Sequence, residues 1–218
     1  MKKIVLTMSV LLCTMGMTAQ EFSVGADIVS SYVWRGAYQG GGASIQPSLT
    51  FSAGGFSVGT WGSTNFSGGN KEVDITVGYD IVNLSLSITD YWWEGEGALN
   101  YFDYENAHNY EAGVAYTFPG VFPVRLSANT MFMEPKKDYF STYLEAGFPF
   151  SVKDVNLEAA VGVTPWEGIY ASQFAITNIS LKASKNIRIT DSFSLPVFGQ
   201  FIVNPEIEDV FLVVGISF

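Results

Sequence analysis

His108 is the only histidine in the chain, and Asn106 stands two residues before it. A serine hydrolase or acyltransferase working from the wall of a membrane protein would use such a histidine as its base. It would also need a serine within hydrogen-bond reach and an oxyanion site. No serine in this sequence lies in a recognisable nucleophile segment, so catalysis at His108 is the minor expectation and a rim histidine bonded to lipid headgroups the major one. The single cysteine, Cys13, sits in the apolar stretch near the amino terminus. One histidine and no further thiol cannot build a histidine-rich or cysteine-rich metal centre. The acid groups Asp103 with Glu105, and Glu206 with Glu208 and Asp209, could hold calcium weakly, but solvated loop charge is their commoner explanation. No catalytic residue, cofactor site or metal site is therefore assigned.

The remaining chemistry is electrostatic. Asp27, Asp74, Glu111, Glu145 and Glu158 each fall on the polar parity of an alternating segment, as do Arg125, Lys182 and Arg188. In a strand successive side chains point to opposite faces, so these charges share the face turned away from the apolar one. If that face encloses water, they line a pore.

The two chain ends suggest which solvent the apolar face meets. Val210, Leu212, Val214, Ile216 and Phe218 alternate on one parity and end on an aromatic, the pattern of a bacterial outer-membrane insertion signal. At the other end, Lys2 and Lys3 precede an apolar run from Ile4 to about Met15, then Thr18, Ala19 and Gln20, which together predict a cleaved secretory peptide over 1–20. Residues 21–218 then form one domain without cysteine, able to cross an oxidising compartment with no disulfide.

Composition agrees. Hydrophobic residues make up 48% of the chain, yet no stretch after the leader approaches the roughly 20 consecutive apolar residues of a spanning helix. The net charge of −10 becomes −12 once Lys2 and Lys3 are removed, which argues against nucleic acid as a partner.

Parity along the chain predicts twelve strands, at about 22–35, 44–53, 56–63, 71–80, 84–93, 106–118, 124–133, 139–150, 155–164, 174–189, 193–203 and 210–218. Pro47 and Pro196 should lie near strand ends or bulges, since proline cannot donate to a ladder. Tight gaps follow the even strands and longer gaps most of the odd ones, the arrangement of an antiparallel up-and-down transmembrane β-barrel with short periplasmic turns and longer external loops. Trp34, Trp92, Trp93, Tyr101, Tyr104, Trp166 and Tyr170 gather toward the long-loop side, where amphipathic rings would sit at a membrane interface. A soluble sandwich or lipocalin-like barrel is the competing architecture, and the small, sparsely charged second face weighs against it.

With these residues in view, the chain resembles the TorF family, bacterial outer-membrane porin candidates without an established substrate. The resemblance is carried by Ser31-Tyr32-Val33-Trp34-Arg35-Gly36 with Gln39, by Gly59-Thr60-Trp61-Gly62-Ser63, by Glu72-Val73-Asp74 followed by Gly78-Tyr79, and by Val203-Asn204-Pro205. It implies a barrel and a channel, and it brings no catalytic residue to this chain.

Twelve strands about 4.8 Å apart and tilted near 40° give a backbone radius of about 12 Å, leaving a channel on the order of 10 Å across if no loop folds in. The large inward residues Trp61, Phe198 and Phe211 would narrow it. The expectation is a non-enzymatic outer-membrane porin, mildly preferring cations, for ions or small polar solutes. Its partners would be outer-membrane lipid and the barrel-assembly machinery. A closed structural or adhesion barrel acting through its loops is the alternative, and a lipid-modifying enzyme the third.

Overall fold

The structure is a computed structural model that describes residues 20–69, 71–94, 100–135 and 139–218. The predicted secretory peptide lies, but for Gln20, outside the described residues. The described residues form strands, turns and loops with no helix.

Twelve strands close into a barrel. In chain order they are β1 (Glu21–Val29), β4 (Ser44–Ala53), β5 (Phe56–Asn65), β6 (Lys71–Ile81), β7 (Leu84–Trp93), β8 (His108–Thr117), β9 (Arg125–Met133), β10 (Thr142–Val152), β11 (Val155–Thr164), β12 (Ala175–Arg188), β13 (Ser194–Asn204) and β14 (Asp209–Ser217). Two further strands, β2 (Val33–Trp34) and β3 (Ala37–Tyr38), form a separate hairpin between β1 and β4. Each wall strand pairs antiparallel with its neighbours in sequence, and β1 meets β14 to close the ring. Closure gives each wall strand a paired neighbour on both sides, a condition for standing in hydrocarbon.

The alternation in the sequence becomes the two faces of this wall. Val24, Leu49, Ile75, Val77, Ile88, Val114, Leu181 and Leu212 are exposed outside, while Gln46, Asp74, Glu111, Asn178 and Ser180 on the opposite parity are buried inside. Pro47 lies where the β4–β5 ladder lapses between Ile45 and Ser48, and Pro196 is the third residue of β13. The β8–β9 and β11–β12 ladders slip by one residue near the long-loop end, at Tyr110/Glu111 and Gly162/Val163.

The closing seam is short. Its register runs from Asp27↔Ser217 to Val29↔Gly215. It is extended by reciprocal main-chain bonds between Ala26 and Phe218 (3.0 and 3.3 Å) and by Ser30 N donating to the Val214 carbonyl at 2.8 Å.

The first predicted strand is too long in the sequence reading. The wall strand stops at Val29, and the next residues turn inward. Arg35 and Gly36 join β2 to β3 with φ of 52° and 82°. Two consecutive left-handed residues make the type I′ turn that a two-residue hairpin needs. Tyr32 and Trp34 on one parity with Ser31 and Arg35 on the other fit a buried hairpin as well as a wall strand, so parity alone could not separate them.

Candidate functional site

The hairpin lies across the barrel near its long-loop end and meets the wall on every side. Tyr32 packs on Trp61 of β5 at 5.4 Å. Val33 joins the only apolar core cluster among the described residues, Val29, Ile202 and Val213, with Phe198 and Phe211 against it. Trp34 contacts Tyr91 (5.7 Å) and Trp93 (6.0 Å) of β7 and Tyr170 of the 165–174 loop (5.7 Å). Tyr38 stacks on Phe211 of β14. The carbonyl of Gly36 accepts from Asn204 Nδ2 at 3.0 Å, and a Cβ at Gly36 would stand 1.8 Å from the Thr177 carbonyl oxygen. The inward rings Trp61 and Phe211 thus narrow the lumen by gripping the hairpin, and Phe198 does so through the cluster that Val33 joins.

Arg35 is the centre of this contact. Its guanidinium makes a bidentate pair with Glu111 of β8, Nη1 to Oε2 at 2.5 Å and Nη2 to Oε1 at 2.9 Å, and also donates to the Tyr170 hydroxyl. The Tyr91 hydroxyl donates to Glu111 Oε1 at 3.0 Å. The guanidinium also lies over the Trp34 ring (4.4 Å) and the Tyr143 ring (4.8 Å). Burial works against its charge, yet the Glu111 hydrogen bonds hold its pKa above the ordinary guanidinium value. A planar fork that satisfies a carboxylate and stacks on rings is what arginine supplies and lysine does not.

Beside the hairpin lies a lumenal cavity of about 360 Å³. Glu145, Glu158, Lys182, Gln200, Asn129 and Ser180 line its wall, with Trp34, Arg35 and Tyr143 along one side. Glu145 accepts from the Tyr143 hydroxyl at 2.6 Å and from Asn178 Nδ2 at 3.3 Å. Lys182 places its ammonium 4.4 Å from the Phe198 ring. A second cavity of about 240 Å³ lies on the other side, bounded by Tyr32, Gln39, Ser63, Asn65, Glu72 and Trp93.

Of the eight charged residues expected to face the lumen, Glu145, Glu158 and Lys182 gather at the larger cavity. Glu111 faces inward but is taken up by Arg35. Asp74 is buried beside Glu72, with Oδ1 unpartnered among the described residues. Asp27 faces inward near the seam, opposite Gln46 and Ser217. Arg125 and Arg188 are exposed at the short-turn end, where Arg188 pairs with Asp191. The five residues of the terminal pattern, Val210, Leu212, Val214, Ile216 and Phe218, lie on the outer parity.

Three of the rings expected at a rim interface lie elsewhere: Trp93 is on the inward parity of β7, against Trp34 and Tyr91. Trp34 and Tyr170 turn into the lumen, because the loops that carry them fold inward onto Arg35. The sequence offers no role for Tyr91 or Tyr143, and gives Arg35 only as part of the Ser31–Gly36 motif. Arg35 stood at the end of an apparent strand, and only the paired positive φ values of Arg35 and Gly36 reveal the turn.

His108 stands on the outer parity of β8 at the rim, as expected, but it is 1% exposed. Residues 100–107 cover it, with Tyr104 stacked on the imidazole at 4.3 Å and Tyr101 edge-on at 5.2 Å. Nδ1 lies 2.6 Å from Asp90 Oδ1, and Nε2 lies 2.7 Å from the Tyr101 carbonyl oxygen. A carbonyl only accepts, so Nε2 carries a proton and has no lone pair for a nucleophile. Asp90 occupies an outward, otherwise apolar position of β7, where the sequence pattern gives a carboxylate no role. No group of three or more metal-ligating side chains occurs among the described residues.

A closed twelve-strand barrel with an apolar outside and a polar inside defines a porin-like protein. The chain belongs to the Gcw_chp family, described as bacterial protein of unknown function, whose model matches residues 14–202. A solved structure named KdgM porin superposes with a TM-score of 0.51 at 9% identity, covering 92% of this chain and 98% of that one, a likeness of fold alone. No curated protein matches the chain.

Proposed function

We propose that this protein is an outer-membrane channel for passive diffusion of ions or small polar solutes, with a mild preference for cations and a bore set by the 30–43 hairpin. The observation that carries the reading is the polar, charged cavity of about 360 Å³ inside a closed barrel whose outside is apolar. A structural barrel needs no water-lined interior, whereas a diffusion path does. The resemblance to the TorF family and the fold shared with a KdgM porin support the same reading. Short turns would face the periplasm and long loops the exterior. The barrel would reach the membrane by the secretory leader and the assembly machinery, and its partners there would be lipid and the permeating solute.

The hairpin's contacts on all sides of the wall favour one second reading, a closed structural or adhesion barrel. Conductance of the purified protein in a planar bilayer separates the two. Stepwise, ohmic current in KCl is the expected result, and an absence of current from folded, inserted protein would establish the closed barrel instead.

A further inference from the structure

The larger cavity has a chemistry more particular than a water path requires. Its aromatic faces are already used. Trp34 is occupied by Arg35, Tyr91, Trp93 and Tyr170, Tyr143 by Arg35 and Tyr170, and Phe198 by the Lys182 ammonium. Each of these rings already has partners, so the groups left to a ligand are chiefly polar. The Arg35 charge is likewise cancelled by Glu111, and Glu145 already accepts from Tyr143 and Asn178, which leaves Glu158 and Lys182, the latter resting on the Phe198 ring, as the charges without an ionic or hydrogen-bonded partner among the described residues.

Those charges are arranged as a dipole. Glu158 and Lys182 are direct cross-strand partners between β11 and β12 on the lumenal face, yet no ion pair joins them among the described residues. Opposite side chains in such a pair start about 5 Å apart. An ammonium and a carboxylate on one α-carbon are separated by a similar short span. A lone anion would meet Glu145 and Glu158, and a lone cation would leave Lys182 unsatisfied. The amides of Asn129 and Gln200 and the hydroxyls of Ser127 and Ser180 complete a polar lining suited to a small hydrogen-bonding molecule, in a volume near the lower end of ligand pockets.

We infer that this cavity is a binding site for a small zwitterion, an α-amino acid or short peptide, with its ammonium on Glu158 and its carboxylate on Lys182. The inference deepens the channel reading by naming a solute class, but the site itself can be tested without current. Titration calorimetry on the folded barrel in detergent would compare L-alanine with glucose, ethanolamine and glycolate, while the same preparation is tested for KCl conductance.

L-alanine should bind about tenfold or more tightly than the other three, a difference near 1.4 kcal/mol. Lys182→Met should lower alanine affinity by a similar factor and spare ethanolamine, and Glu158→Gln should lower it and spare glycolate. Alanine binding no better than glucose would overturn the inference, and the wild-type comparison alone decides this if a variant fails to fold. Alanine binding by a barrel that passes no current would uphold the site while ending the channel reading.

Discussion

Arg35 and Glu111, 76 residues apart in the chain, meet inside the barrel as a two-bonded ion pair with side chains only 10% and 4% exposed. The pair ties the hairpin that leaves the wall after β1 to the opposite wall at β8. Such an arrangement is stable only while both partners are present, because either one alone is a buried, uncompensated charge.

Arg35→Met should therefore destabilise the folded barrel by about 3 to 5 kcal/mol, and Glu111→Leu by a similar amount, while the double variant loses much less than the two together. Thermal unfolding in detergent measures this. The single-channel conductance should rise in all three, since the hairpin loses its tether. A conductance unchanged from wild type in the double variant would mean that the hairpin does not set the bore.

Gly36→Ala should act in the same direction through backbone geometry. The residue has φ of 82°, and its new methyl would stand 1.8 Å from the Thr177 carbonyl oxygen, a backbone atom that cannot swing aside. Gly42, in the same loop, has φ of 74° with nothing within 4 Å, so Gly42→Ala adds only the left-handed strain of about 1 to 2 kcal/mol. Gly36→Ala should lower the unfolding temperature more than Gly42→Ala and widen the channel. Equal effects would show that the fit against Thr177 does not matter.

The wall was legible because its signal is local. Period-two alternation and turn spacing need no tertiary knowledge, and all twelve wall strands fall within a few residues of their predicted places, except for the overlong end of the first. The inward face of Asp74, Glu111, Glu145, Glu158 and Lys182 followed from the same parity. The hairpin was not legible, because Trp34 and Arg35 look alike at the rim of a wall and in a plug. Which acid takes Arg35 depends on the closed ring bringing β8 beneath the turn, information that no window of sequence contains. The Asp90–His108 pair was hidden for a related reason, since only a loop folded over the outer wall makes a charge tolerable there.

His108→Ala separates channel from enzyme. With Nε2 donating to the Tyr101 carbonyl and Nδ1 on Asp90, the imidazole holds residues 100–107 against the wall. The variant should conduct as wild type does, and its 100–107 segment should be cut faster by protease. Phospholipase or deacylase activity in the wild type that vanishes with His108→Ala would reverse the assignment.

At the carboxy terminus, Phe218 has two separable parts. Its main chain closes the seam on Ala26, and its ring, exposed on the outer parity, completes the proposed insertion signal. Phe218→Ala keeps the main-chain bonds and removes only the ring, whereas deletion removes both. The amount of heat-modifiable barrel in the outer-membrane fraction should fall in both variants. If it falls only on deletion, the seam matters and the aromatic signal does not.

Selectivity should follow from the charges left over once the internal pairs are set aside. Arg35 cancels Glu111, and Arg188 is taken by Asp191 at the turn end. Asp27, Glu145 and Glu158 then outnumber Lys182 and Arg125 on the inward parity, and rings of carboxylates favour cations. Replacing Glu111 would strand Arg35, so the clean test is Glu145→Gln with Glu158→Gln. In a KCl gradient this pair should bring the reversal potential toward zero, and Lys182→Met should move it further in the cation-selective direction. Both shifts should shrink as KCl rises from 0.1 to 1 M, because the screening length falls from about 10 to 3 Å. A wild-type channel that selects anions would mean that these acids do not face the conducting path.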